Sequence, residues 1–481
     1  MVLVSTYSRA ALPLTYLLLK GKTMTLTRDN LNQTEHKYLS KAYRFERSGW
    51  IFLHIEGAPF ERGFQHGYLL AKELDQALKT IKFTSRWDTG DTFDFFENAA
   101  IDLYDHWLKD ELGGEFKTEL EGIVAGALKA GVEISYPEIL AWNANIELLG
   151  NWWPQHKNTQ PGEFMRGHHC NSFIATGDKI TTDGGIVLAH NTWDTYVNSN
   201  SANIVMDIHP DRGNSILMQS APGFLHSGTD FFLTGSGIIG SETSIAGFSG
   251  YEEKKAPEFY RVRKAMQYAQ SLDEWMKIMQ VNNNGGYANS WLIGDIHTGE
   301  IARLELGLKY CNITCSQEGY FWGCNVVEDP RIRNQECDNV GYSNLLQSGG
   351  RRVRWEQLLA EYCGKINIES AMVMISDDYD VYLKEHNSSN RTICARFDRD
   401  SAPFNPLEFG PYAPYGANDG KVTDTTMAKQ MSFLGRYGHP DGSTFNAKQF
   451  LKEQPQYAWQ GKFLRDKPHQ PWVNFSARNK E

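Results

Sequence analysis

The chain has 481 residues, of which 41% are hydrophobic and 22% are charged, and its formal net charge is −10 at pH 7. The acidic balance argues against a nucleic-acid-binding protein, which normally presents a basic face. The length exceeds that of a usual single core, so one large unit or two closely joined units are expected.

The N-terminal residues carry an apolar run over residues 10–19. Pro13 interrupts this run, which is too short to span a bilayer. No small-residue cleavage site of a signal peptide follows it before Lys20. We therefore expect a cytoplasmic protein without an integral membrane segment, and a secreted or lysosomal compartment is the alternative. Residues 1–47 are predicted to be an N-terminal extension that is disordered over part of its length.

Residues 48–169 are predicted to be mainly helical. Within residues 61–83 the apolar side chains recur at roughly i, i+3 and i+4, which indicates an amphipathic helix. Further helices are predicted over residues 98–111, over residues 116–130 and after Pro137. Residues 151–167 are rich in Trp, Pro, Gly, Gln and His and are interpreted as an exposed connector. This helical portion is therefore expected to end in a linker.

Short β-type segments dominate from Cys170 onward. Strands are predicted over residues 202–208, 215–219, 231–238, 242–248, 290–294, 301–306, 320–327 and 392–397. Helices are predicted over residues 258–280 and 425–437. Runs of strands with a few long helices between them indicate an α+β protein with helix–sheet–sheet–helix layers, formed here by residues 170–481.

The stretch that begins at Cys170 predicts a β-hairpin. Residues 171–176 and 186–189 are apolar segments of strand length, and Asp183-Gly184-Gly185 lies between them. Glycine suits a tight turn because it adopts positive φ at no steric cost. A turn centred near residue 182 places residues 192–195 opposite Cys170. Cross-strand neighbours lie about 4.5–5.5 Å apart at Cβ, which is reacting distance for the thiol and the groups that position it.

Several motifs carry a resemblance to a known family. They are Cys170-Asn171-Ser172, residues 189–196 (Ala-His-Asn-Thr-Trp-Asp-Thr-Tyr), and residues 57–67, 235–244, 286–291 and 393–398. In this order and spacing they resemble the phospholipase B-like family and, more loosely, the penicillin acyltransferase family, both of which are N-terminal nucleophile hydrolases. The resemblance covers roughly residues 48–475. This chain departs from the family in two ways. The animal members are longer and carry a signal peptide, and their Asn-Asn-Gln-Trp motif is replaced by Ala-Asn-Ser-Trp at residues 288–291.

The resemblance implies a four-layer αββα fold, with a propeptide before Cys170 and a catalytic portion over residues 170–481. A cysteine is nucleophilic as its thiolate and needs a base. In these hydrolases the base is the nucleophile's own α-amino group, which exists only after the chain is cut before it. We therefore expect self-cleavage between His169 and Cys170.

Each supporting residue has a functional and a structural interpretation. Asp194 is predicted to hold the Cys170 ammonium group, or else to cap a turn. His190 is predicted to assist proton transfer in self-cleavage or to bind the scissile carbonyl, or else to be a satisfied strand histidine. Asn289 is predicted to stabilise the oxyanion, or else to be a turn residue.

Three further residues are candidates for the substrate pocket. Trp193 is predicted to wall an acyl pocket, although a tryptophan is more often part of a core. Thr243 and Arg396 match family positions and are expected to contact substrate. An apolar acyl pocket is also suggested by the aromatic residues in or near the motifs, which are Trp193, Phe224, Phe231, Phe232 and Trp291.

Seven cysteines are too few for a disulfide scaffold. Cys311 with Cys315, and Cys324 with Cys337, are close enough in sequence to form bridges, and isolated buried thiols are the alternative. His168-His169-Cys170 looks like a metal cluster, but three consecutive residues cannot readily converge on one ion. No metal and no cofactor are therefore expected.

These observations predict an autoproteolytically activated hydrolase. It would cleave acyl ester or amide bonds of small lipid-like substrates through an acyl-cysteine intermediate. The alternatives are an N-acyl amide hydrolase or acyltransferase, and an uncut, non-catalytic binding protein. A papain-like protease does not fit, because Cys170 opens a strand and its surrounding signature is missing.

Overall fold

The computed structural model describes residues 16–19, 22–25, 31–109, 114–159, 169–228, 231–338, 341–403 and 410–478. Within these ranges, no helix combines the length and the hydropathy needed to cross a lipid bilayer.

The strands are β1 (Tyr16–Leu19), β2 (Lys22–Thr25), β3 (Tyr43–Arg47), β4 (Trp50–Gly57), β5 (His169–Thr176), β6 (Val187–Thr195), β7 (Ile204–Pro210), β8 (Ile216–Ser220), β9 (Phe231–Thr234), β10 (Ile238–Ser244), β11 (Asn289–Asp295), β12 (Ile301–Leu306), β13 (Cys311–Ser316), β14 (Gly319–Gly323), β15 (Tyr379–Asp380), β16 (Glu385–His386), β17 (Tyr415–Ala417), β18 (Asp419–Asp424), β19 (Ser432–Tyr437) and β20 (Val473–Ser476).

The helices are α1 (Gln33–Leu39), α2 (Pro59–Leu69), α3 (Ala71–Thr89), α4 (Phe93–Tyr104), α5 (Glu115–Lys129), α6 (Tyr136–Asn143), α7 (Asn145–Glu147), α8 (Trp153–Lys157), α9 (Glu258–Tyr268), α10 (Leu272–Gln280), α11 (Pro330–Gln335), α12 (Ser348–Glu361), α13 (Ile368–Ile375), α14 (Thr425–Lys429) and α15 (Ala447–Glu453). A π-helical turn over Leu148–Trp152 joins α7 to α8.

Two large sheets contain most of the strands. The first has nine strands in the order β13-β12-β11-β10-β9-β8-β7-β4-β3. All its neighbours are antiparallel except β4 and β7, which are parallel. The second runs β14-β5-β6-β18-β19-β20, with β17 also paired to β6. Consecutive strands in the chain are therefore mostly neighbours, as in a series of hairpins.

Three apolar cores show how the layers stack. Side chains from both sheets, such as Phe52 and Leu188, meet in one core between the sheets. The opposite face of the nine-stranded sheet packs on α9 and α10 through residues such as Trp275. The opposite face of the other sheet packs on α12 and α13 through residues such as Trp355. Because strand side chains alternate between faces, each sheet contributes to two cores, and the predicted αββα architecture is confirmed.

The N-terminal helices α3 to α6 form a separate core that also includes Trp193, Phe224 and Tyr415 of the sandwich. Helices α2 and α5 approach closely because glycines line their contact. A Cβ on Gly67 would lie 2.0 Å from the carbonyl oxygen of Ile123. A larger residue at this position would therefore push the two helices apart.

A buried ion network ties these helices to the sandwich. Arg62 on α2 donates to Glu119 on α5 at 2.7 Å, and Arg263 on α9 donates to the same carboxylate at 3.0 Å. Burial raises the pKa of Glu119, but the two guanidinium groups outweigh it and lower the pKa below its usual value. Removing one partner would leave a buried charge, which is strongly destabilising.

The predicted boundary between an extension over residues 1–47 and a helical portion from residue 48 is wrong. Strands β3 and β4 form a hairpin across it, and β4 pairs in parallel with β7. Residues 43–57 therefore belong to the nine-stranded sheet. The predicted connector is also wrong at its start, because Trp152 and Trp153 are buried in helical turns. Residues 160–168 lie outside the described residues.

Other differences arise where a pattern was read as one element. The predicted helix over residues 258–280 is two helices, α9 and α10. The predicted strand over residues 231–238 is the strand β9, a turn and the start of β10. The predicted helix over residues 425–437 ends after one turn, and Ser432–Tyr437 is a strand between β18 and β20.

Two smaller predictions have clear outcomes. Residues 392–397 do not form a regular strand, and a short 3₁₀ helix follows at Phe397–Arg399. No disulfide joins any of the seven cysteines, all of which fall in the described ranges. Cys311 and Cys315 lie four residues apart on β13, about 13 Å at the rise of a strand, which is too far to bridge.

Candidate active site

Cys170 lies near the start of β5, inside the seven-stranded sheet. It pairs directly with Thr192 on β6, so the predicted register is confirmed. The connection between the two strands has Gly184 at φ +73°, and a Cβ there would lie 2.2 Å from Asp178 Oδ1. Cys170 is only 2% exposed. The turn chemistry of the sequence thus fixes which residue faces the thiol.

Strand alternation divides the predicted residues between the two faces of this sheet. Ile174 and Leu188 point into the core between the sheets, whereas Phe173 and Ala189 point toward α12 and α13. Cys170, His190, Thr192 and Asp194 share the first face, because their positions differ from those of Ile174 and Leu188 by even numbers. Trp193 lies on the second face.

His190 is fully buried. Its Nε2 lies 3.1 Å from the backbone oxygen of Glu242 on β10. A carbonyl oxygen only accepts, so Nε2 carries the ring proton and Nδ1 presents a lone pair. Nδ1 has no hydrogen-bond partner among the described residues. Burial, together with the nearby charge of Lys421, lowers the pKa of His190 well below its usual value, so the ring is neutral.

Asp194 is 8% exposed, two residues beyond Thr192 on the same face. Its Oδ1 accepts from the backbone N–H of Thr195 at 2.6 Å and from Asn198 Nδ2 at 3.4 Å. Burial raises the pKa of Asp194 to about 7. The contact with Thr195 agrees with the turn-cap interpretation, and ammonium binding remains a prediction.

Asn289 is the first residue of β11 and is 1% exposed. It pairs with Ser244 on β10. Neither atom of its side-chain amide has a hydrogen-bond partner in the part of the chain that the structure describes. An unsatisfied buried polar group costs about 1–3 kcal/mol. Asn289 is therefore not an exposed turn residue, and its role in stabilising the oxyanion remains a prediction.

A chain of polar contacts links this end of β11 to the start of β5. Asn325 donates to the backbone oxygen of Ser244 at 2.9 Å and accepts from Arg351 at 2.9 Å. Arg351 also lies 3.3 Å from the backbone oxygen of Cys170. Its guanidinium group stacks over the Trp193 ring at 4.2 Å. Arg351 thus positions the strand that carries the thiol.

Thr243 lies on the inner face of β10 opposite Ser290 of β11. Both hydroxyl oxygens are buried and, within the described ranges, have no hydrogen-bond partner. On the same face, Ser241 is 2.6 Å from Ser172 of β5, which joins the two sheets. Thr243 therefore belongs to a polar patch between the sheets, two residues along the strand from this Ser241–Ser172 contact.

Arg396 and Trp193 are held by structural contacts. Arg396 pairs with Asp398 at 2.6 Å and donates to Ser443 at 2.8 Å. Trp193 donates to the backbone oxygen of Ile393 at 3.1 Å and packs edge-to-face on Phe397. The structure thus brings His190, Asp194 and Thr243 to the inner face with Cys170, but not Trp193.

Sequence reasoning missed a buried charged pair that contacts Thr192, the residue opposite Cys170. Lys421 and Asp419 on β18 form an ion pair at 2.7 Å, and both are buried. Lys421 pairs in register with His190. The available signal was two charged residues at alternate positions in residues 419–424, which places both on one face of a strand.

A cavity of about 60 Å³ opens on the side of Thr192 and Asp194. Its apolar wall comes from the N-terminal helices and the segment before β9, namely Ala77, Ile81, Trp142, Ile146, Ala221 and Phe224. Of the five aromatic residues predicted for an acyl pocket, Phe224 lines this cavity. Phe231 lies in the core between the sheets, and Phe232 and Trp291 lie in the core under α10.

One group of side chains in the described ranges has the spacing of metal ligands, namely His54, Asp207 and His209. Asp207 lies 2.6 Å from the His54 ring and 2.9 Å from the His209 ring, and it accepts from the backbone N–H of Arg478. These hydrogen bonds satisfy the carboxylate without an ion. The cluster lies on β4 and β7 in the nine-stranded sheet, whereas Cys170 lies on β5 in the other sheet. His168 lies outside the described residues.

Comparisons with known proteins place the site in a matched region. A sequence model of the Phospholipase B family matches residues 117–310. A phospholipase B of Crotalus adamanteus is 28% identical over 307 residues, covering 56% of this chain and 52% of that protein. Phospholipase B-like 1 of Homo sapiens is 26% identical over 425 residues, covering 77% of this chain and 73% of that protein.

Among solved structures, penicillin V acylase from Agrobacterium tumefaciens aligns with a TM-score of 0.32 and 12% identity, over 56% of this chain and 83% of that chain. The chain spans about half the length of several curated relatives that it matches. The family match includes Cys170, Thr192 and Asn289, whereas Arg351 and Lys421 lie beyond it.

Proposed function

Because this chain is related to the phospholipase B-like proteins, we propose that it is a hydrolase that opens acyl ester or amide bonds through an acyl-cysteine intermediate on Cys170. The observation that carries the proposal is the position of this cysteine on the buried inner face, beside polar groups without partners. These are His190 Nδ1, Thr243 Oγ1 and Ser290 Oγ, counted within the described residues. Such groups are rare in a purely structural core.

We propose that self-cleavage of the His169–Cys170 bond activates the enzyme. The Cys170 sulfur loses its proton to a neighbouring base and attacks the carbonyl carbon of His169. The base then gives this proton to the Cys170 nitrogen, which leaves as a free amine as the C–N bond breaks, and a thioester forms. Water then hydrolyses the thioester, which gives residue 169 a carboxyl end and restores the thiol. The neutral ring of His190, with its lone pair on Nδ1, supports its role as the base in this step.

In turnover, the new α-amino group of Cys170 takes the thiol proton, because its ordinary pKa of about 7.7–8.0 suits a base near neutral pH. The sulfur attacks the substrate carbonyl, and the leaving alcohol or amine receives the proton. Water then releases the acid. Asn289 donates its amide N–H to the oxyanion, which is worth about 2.7–4 kcal/mol at comparable sites. Asp194 holds the ammonium form of the amino group in place.

The cavity beside Thr192 supports an acyl substrate. Thr192 and Asp194 of β6 line it together with apolar side chains such as Ile146 and Phe224. A carbonyl group beside Thr192 would leave its acyl tail among these apolar side chains. At about 60 Å³ the cavity holds only the first few atoms of a chain. Lipid-like esters and N-acyl amides both present such a group.

N-terminal sequencing of the purified protein tests the proposal. The larger fragment should begin Cys-Asn-Ser-Phe, and Cys170→Ala should give one intact, folded chain without activity. Substrate hydrolysis by a fully intact chain would remove the amine-base mechanism. A folded, intact wild-type protein without hydrolase activity would favour the non-catalytic binding protein.

A further inference from the structure

Within the described residues, the buried ammonium group of Lys421 contacts three polar side chains. It donates to Thr192 Oγ1 at 2.8 Å, pairs with Asp419 Oδ1 at 2.7 Å and donates to the side-chain oxygen of Gln219. Lys421 is fully buried on β18, in the strand next to β6. An ammonium group has only donors, so the direction of each hydrogen bond is fixed.

The contact with Lys421 decides what the Thr192 hydroxyl can do. Its oxygen accepts from Lys421, so its own proton must point to a different acceptor. Within the described residues, no hydrogen bond uses this proton. The residue directly opposite Thr192 on the same face is Cys170. Their Cβ atoms are therefore about 4.5–5.5 Å apart, a separation at which an O–H can reach a sulfur.

We propose that Lys421 and Thr192 form a relay that stabilises the Cys170 thiolate, in which Lys421 donates to Thr192 Oγ1 and the Thr192 hydroxyl donates to the sulfur. Both are positioning residues, since they act on the sulfur and not on the substrate. The inference rests on the proposed function only in taking Cys170 as the nucleophile. It adds a source of thiolate stabilisation that neither the α-amino group nor His190 provides.

The other charged and titratable groups around Lys421 and Thr192 do not take over the proposed stabilisation of the Cys170 thiolate. His190 is neutral, as described above. Asp419 is held by Lys421, by Gln219 Nε2 at 2.8 Å and by the backbone N–H of Thr192 at 3.1 Å.

Four further charged or titratable groups lie in the same region. Lys467 donates to Ser199 at 2.9 Å, and burial lowers its pKa to about 7. Burial raises the pKa of Tyr437 to about 12, so its phenol is neutral. Asp194 lies two residues beyond Thr192 on β6, and Arg351 contacts the backbone oxygen of Cys170. Thr192 is the hydroxyl-bearing residue that pairs directly with Cys170 across β5 and β6.

The test measures the pH dependence of Cys170 alkylation by iodoacetamide, followed by mass spectrometry of the peptide that carries Cys170. Thr192→Val keeps the shape of the side chain but removes the hydroxyl, and Thr192→Ser is the matched control that keeps it. We expect Thr192→Val to raise the alkylation midpoint by about one pH unit, a tenfold loss of thiolate below the midpoint. Thr192→Ser should stay within twofold of the wild type.

Lys421→Met should raise the midpoint in the same direction, and Lys421→Arg should restore it, because the guanidinium keeps the charge and the donor. The midpoint comes from the shape of the pH profile, so differences in access to the buried sulfur do not affect it. An unchanged midpoint in Thr192→Val, or an equal shift in Thr192→Ser, would overturn the relay. The readout needs no turnover, so it separates failure of the relay from failure of the proposed hydrolase.

Discussion

Replacing Asn289 by alanine separates a catalytic amide from a structural one. If the amide donates to the oxyanion, its loss removes an interaction that exists only in the transition state. The value of one such donor, about 2.7–4 kcal/mol, corresponds to a fall in kcat of about 10²–10³. KM should change far less, because the ground-state carbonyl gains little from this donor.

The same substitution should leave the fold at least as stable. Neither amide atom of Asn289 has a partner in the described residues, so alanine relieves a burial cost of about 1–3 kcal/mol. Any cavity that remains offsets part of this gain, at about 24 cal/mol per Å³. Asn143 is the contrasting control. It donates to Ile139 and Gly223 at 2.9 Å and accepts from Leu225 at 2.8 Å.

Asn143→Ala leaves these buried backbone groups unpaired, so the free energy of unfolding should fall by about 1–3 kcal/mol. The two variants should therefore move stability in opposite directions, or at least differ by about 2 kcal/mol. Urea unfolding in a Cys170→Ala background, where the chain stays intact, measures this difference. Kinetics on the cut enzyme measure kcat and KM. A change confined to KM would make Asn289 a substrate-binding residue, and equal destabilisation by both variants would make it structural.

Three further predictions follow from the same contacts. After cleavage the two fragments should elute together in native size-exclusion chromatography. Strands β3 and β4 lie in the nine-stranded sheet, and the ion pairs of Glu119 with Arg62 and Arg263 join the fragments. Separate elution of the fragments would contradict these contacts. Burial raises the pKa of Asp194 to about 7. Between about pH 4 and pH 7 its carboxyl group therefore stays protonated in the folded state but ionises in the unfolded chain, so the free energy of unfolding should fall as the pH rises through this range. In the Cys170→Ala background, Asp194→Asn should weaken this pH dependence of the unfolding free energy, which urea titrations at several pH values measure. A pH dependence as steep as that of the Cys170→Ala parent would refute the raised pKa. Chain length should be varied in two substrate series, lysophospholipids and N-acyl amino acids. In at least one series kcat/KM should rise about fourfold for each added CH₂ until the cavity is full, because each buried CH₂ contributes about 0.8 kcal/mol. Ile146→Ala should weaken that rise, and flat profiles in both series would refute the apolar wall.

The sequence by itself determined the local geometry around the nucleophile. Glycine at residue 184 and the apolar segments on each side specify a hairpin, and the register that follows places Thr192 opposite Cys170. The alternation of strands and long helices was enough to predict the αββα layers. These features depend on turn chemistry and on periodicity, which act over a few residues.

Only the tertiary structure decided which distant residues complete the site. Arg351 contacts the backbone oxygen of Cys170 across 181 residues of sequence. Lys421 contacts the Thr192 hydroxyl across 229 residues. Tertiary packing also decided that Trp193 contacts Arg351 of α12 and joins the core of the N-terminal helices, while its neighbour Asp194 lines the cavity. Long-range pairing likewise drew residues 43–57 and 432–437 into sheets. Local propensity does not encode such pairings, because the energy of a strand comes from its neighbours across the sheet and from the core that it covers.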